Sequence, residues 1–104
     1  MIKFNNFNLI PSLSHYAHNK NVAALYLLDA EDGQPYCVLS VNMEGYVPDK
    51  GCIWLKSYSE NEDIAVFMLN EGYLELTGKA LQGPYVVIPE ARMTEKLLKL
   101  LKIQ

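Results

Sequence analysis

Apolar and polar positions alternate in short runs along most of this chain, and twice the period lengthens to that of a helix. Residues 2 to 10 alternate loosely through Ile2, Phe4, Phe7 and Leu9, which predicts an edge strand with a bulge near Asn5 and Asn6. Residues 11 to 21 are polar and read as a loop. From 22 to 28 both alternating sets are apolar, Val22, Ala24, Tyr26 and Leu28 on one side and Ala23, Leu25 and Leu27 on the other. That pattern predicts a central strand covered on both faces. Asp32-Gly33 supplies the positive φ of a tight hairpin turn, so a partner strand is expected over 36 to 41. Residues 42 to 51, punctuated by Gly45, Pro48 and Gly51, read as a connecting loop, and 52 to 56 as a third strand of the meander around Trp54.

At Ser59 the period changes. Ser59 and Glu62 have the spacing of a capping box, in which each side chain satisfies an amide at the start of a helix. Glu60, Glu62 and Asp63 add negative charge at the positive end of the helix dipole, and Gly72 fits the left-handed position that ends the helix. Residues 64 to 69 leave no polar face: Ile64, Phe67 and Met68 suit a sheet, while Val66 and Leu69 point toward the terminal helix or another chain. Strands are expected over 74 to 77 and 84 to 88, with a turn around Gly78 and Gly83. A terminal amphipathic helix over 93 to 104 opens at Met93 or Thr94, with Leu97, Leu98 and Leu101 facing a core and Lys96, Lys99 and Lys102 facing water. The fold class is therefore α+β: a mainly antiparallel sheet, a β-meander, packed by two helices in the order ββββαββα. Its 104 residues fit one domain.

Composition narrows the function classes. Half the residues are apolar and the net charge is −3 with no internal basic cluster, so direct nucleic-acid binding is not expected. The apolar run 64 to 69, like every other in the chain, is far shorter than the roughly 20 residues of a membrane-spanning helix, and no membrane insertion is expected. Cys37 and Cys52 are too few for a disulfide framework, which points to reduced thiols and a cytoplasmic setting. His15 and His18 are the only histidines and supply at most half of a structural zinc site, so no metal is assigned. The six glycines are scattered rather than gathered before a helix, so no phosphate cradle, and no cofactor, is implied. No nucleophile-elbow pattern surrounds a serine or cysteine, and no catalytic residue is assigned.

Val22-Ala23, Asp29-Ala30-Glu31-Asp32-Gly33, Pro35-Tyr36, Ser40-Val41-Asn42, Lys56, Tyr58-Ser59-Glu60-Asn61-Glu62 and the closing run from Val86 to Pro89 together carry a likeness. Over residues 21 to 92 the chain resembles an uncharacterised domain family of small cytoplasmic proteins from gut-associated bacteria, often carried on conjugative or other mobile elements. The resemblance implies an accessory role on such an element and no assigned activity. The family's usual glycine after the Tyr-Ser-Glu-Asn-Glu segment is Asp63 here.

Two readings of function follow. The leading one is a non-enzymatic module that binds a protein partner, or a second copy of itself as a homodimer, through Tyr58, Glu60 and Asn61 together with Asn42 and Tyr46 of the adjoining loop. Tyrosine in particular is enriched at interface hot spots. The alternative is a small-molecule-binding domain or enzyme with a pocket beside Trp54, Tyr58 and Glu60.

Overall fold

The doubly apolar segment is the inner strand of a four-stranded antiparallel sheet. In a computed structural model that describes residues 1–16 and 19–102, β3 (Asn19–Asp29) lies between β2 (Phe7–Tyr16) and β4 (Pro35–Val38), with β1 (Ile2–Phe4) outside β2. Val22 and Ala24 on one face of β3 and Leu25 and Leu27 on the other are all buried, as its pattern requires. The β3–β4 hairpin turns at Asp32-Gly33: Gly33 has φ +75 and its amide donates to Asp29 O at 2.7 Å. Asp29 and Asp32 each accept an amide two residues on, which stiffens the turn.

Two expectations in this region need correction. Residues 2 to 10 form not one bulged strand but a hairpin, in which Phe4 pairs with Phe7 around Asn5 at φ 53. Asparagine is among the few non-glycine residues that enter this region readily. The polar stretch after Pro11 is mostly strand, because β2 runs on to Tyr16 opposite β3. Past Leu9 it has no β1 beside it and forms an edge, where the missing amide of Pro11 breaks no ladder and Ser14 and His15 face solvent.

A second antiparallel sheet has the order β5-β7-β6, built from β5 (Cys52–Trp54), β6 (Leu74–Gln82) and β7 (Val87–Met93). Residues 39–41 stitch it to the first. Leu39 N donates to Leu25 O on one side, Lys56 N to Leu39 O and Val41 N to Trp54 O on the other, around a Ser40–Leu55 bridge. Within β6–β7, Gly78 (φ +97) occupies an irregularity between Leu76 and Ala80, and the turn lies at 83–86, where Gly83 N donates to Val86 O.

Both helices, α1 (Glu62–Asn70) and α2 (Glu95–Lys102), close over a cluster that joins Leu25, Leu27, Leu39, Ile53, Leu55, Ala91 and Met93 of the two sheets. Ile64, Ala65 and Met68 of α1 and Leu97 of α2 are buried in it. Leu69 is half-buried against the cluster, whereas Val66 is open to solvent. α1 ends in a Schellman arrangement at Gly72 (φ +78), with Tyr73 N donating to Met68 O and Gly72 N to Leu69 O. Thr94 ties the two helices together: its hydroxyl donates to Gly72 O at 2.6 Å, and Lys96 Nζ reaches Glu71 O at 2.6 Å. The architecture is α+β with antiparallel sheets and two helices, close to the expected order.

Candidate functional site

The start of α1 is built differently from a capping box. A capping serine must be extended and stand directly before the helix. Ser59 instead has φ 56 and begins a 3₁₀ turn (Ser59–Asn61), so α1 starts only at Glu62 with Asn61 as its N-cap and no side-chain capping bond. The structural cap assigned to Ser59 and Glu62 is therefore not formed.

Asn61 explains the substitution. It is 1% exposed, and its Nδ2 donates to Val38 O at 2.6 Å, tying the helix start to the end of β4. Asn61 is thus a buried strut rather than part of an open surface, and Oδ1 of the same side chain is buried without a partner. Tyr58 is half-buried with Lys56 Nζ 5.8 Å from its ring centre, and Lys56 also pairs with the exposed Glu60 at 2.6 Å. The Lys56 hydrogen bond holds the Glu60 carboxyl below the usual carboxylate range and the lysine above its own.

Beside this junction lies a cleft of about 250 Å³ lined by Phe4, Tyr36, Cys37, Glu60, Asn61 and Asp63, with Asn5 and Ile64. The Phe4 and Tyr36 rings meet edge to face at 6.4 Å, and Phe4 meets Phe67 of α1 at 5.1 Å. Burial, then the nearby Glu60, pushes the Cys37 thiol up to about 11, and burial raises Cys52 as well. Both cysteines are free. Alkylation of the native protein by iodoacetamide at pH 8 is expected to be far slower than in urea, because the thiolate is the nucleophile. Equal rates in the two states would contradict this burial. The neutral Cys37 thiol also stabilises the fold below its ordinary value of 9.0, and that contribution is lost as pH rises toward about 11.

Asn42 and Tyr46 belong elsewhere. Both lie on the loop that follows the Ser40–Leu55 bridge. Asn42 is half-buried with Oδ1 unpartnered, while Tyr46 and Val47 are 56% and 55% exposed.

Their loop is fastened to the outer side of the second sheet. Trp54 Nε1 donates to Tyr46 O at 2.9 Å, and Trp54 pairs across the ladder with Glu90. Glu90 is 1% exposed, yet both carboxylate oxygens are engaged: Asp49 N donates to Oε2 at 2.9 Å and Thr77 Oγ1 to Oε1 at 2.6 Å. Lys79 adds an exposed ion pair to Asp49 at 2.7 Å. Sequence reading missed Glu90, although a lone carboxylate between Pro89 and Ala91 in an apolar strand is a visible signal that something must solvate it.

Trp54 is buried with its indole donor occupied, and neither it nor Tyr58 lines this cleft or two others of about 550 and 440 Å³ among the described residues. Of the three residues expected beside a pocket, Glu60 lines the 250 Å³ cleft. His15 is exposed on β2, and His18 lies outside the described residues. Among the described residues, no group of three or more His, Cys, Asp or Glu side chains is placed to hold a metal, and no helix is long and apolar enough to cross a membrane. Compared with known proteins, the chain matches no family model, no curated protein and no solved structure.

Proposed function

We propose that this protein is a non-enzymatic interaction module that binds a protein partner through Tyr46 and Val47. One observation carries the reading: an aromatic and an aliphatic side chain stand in solvent on a loop that Trp54, Glu90 and Lys79 fasten to the sheet. A fastened loop loses little conformational entropy on binding, and exposed tyrosine gives large contact area at low ordering cost. A second copy of the chain is one partner this surface suits. The resemblance over residues 21 to 92 adds the setting, an accessory protein of a bacterial mobile element working in the cytoplasm. The net charge of −3 argues for a protein rather than a nucleic-acid partner.

The test is capture from the source cell with the full tagged chain and with a Tyr46→Ser/Val47→Ser double variant of matched thermal midpoint. The wild type is expected to retain a stoichiometric protein, or its own untagged copy, that the variant loses. Identical recovery by both would reject this surface.

A further inference from the structure

We draw no further inference here: the strongest candidate, the outer edge of β6 in the second sheet, exposed over residues 75–80, carries nothing, because nothing in the structure shows what covers it and its charged side chains, Glu75 and Lys79, already pair with Arg92 and Asp49.

Discussion

Replacing Glu90 with alanine is expected to destabilise the protein by about 3 kcal/mol, the scale of removing one member of a buried charged network. The substitution strips the acceptor from Asp49 N and Thr77 Oγ1, both part-buried, and opens a void between Trp54 and the loop that covers it. Glutamine separates charge from hydrogen bonding. Its single oxygen can accept from Asp49 N while its amide donates to Thr77 Oγ1, whose hydroxyl then turns over. Glu90→Gln should therefore cost only about 1 kcal/mol, the net worth of one hydrogen bond. Urea denaturation of the two variants beside wild type reads both numbers. Equal losses would mean that the negative charge itself, rather than its acceptors, holds the loop down.

A comparable loss is expected from Asn61→Asp, which has almost the same shape. At neutral pH the change replaces a donor facing Val38 O with a carboxylate, so a buried charge meets a carbonyl oxygen next to Glu60 and Asp63. The cost should be about 3 kcal/mol, in the range for an unpaired buried charge. Its pH dependence has a definite sign. Burial raises the new carboxyl's folded pKa above its unfolded value, so the folded state prefers the protonated form, which can donate to Val38 O in place of the amide. The deficit relative to wild type should shrink as pH falls from 7 toward 4. A deficit that is flat across that range would show that the side chain escapes into solvent instead of staying under the helix start.

How far the sequence discloses such features depends on whether local pattern or distant contact decides them. The β3–β4 hairpin was legible because Asp32-Gly33 is sufficient for its turn and both faces of β3 are apolar. The end of α1 was legible for the same reason, Gly72 supplying the left-handed residue of a Schellman close. Its start was not. The Ser59 and Glu62 spacing imitates a capping box, but Asn61 forms a bond to Val38, 23 residues away, and a 3₁₀ turn precedes the helix where that bond is made. Residues 11 to 16 read as loop because an edge strand can afford a proline and solvent-facing serines.

The candidate surface divided along the same line. Tyr46 is exposed as expected, since a Gly45 turn in a polar loop is a local feature. The burial of Asn61 is not legible because its partner is remote, and that of Glu90 is not because the donors that make it tolerable come from the loop and from β6. Buried polar side chains bonded across sequence distance are the features a single chain's pattern hides. In this protein they govern both the cleft and the fastened loop.

The most direct measurement of the central claim is calorimetric titration of the captured partner into purified wild type, Tyr46→Ser/Val47→Ser and, as a control at the start of α1, Tyr58→Ser. Tyr46 and Val47 as the contact predict at least tenfold weaker binding for the double variant, the scale of about 1.4 kcal/mol, and unchanged binding for Tyr58→Ser. Full affinity in the double variant, or a loss confined to Tyr58→Ser, would contradict it.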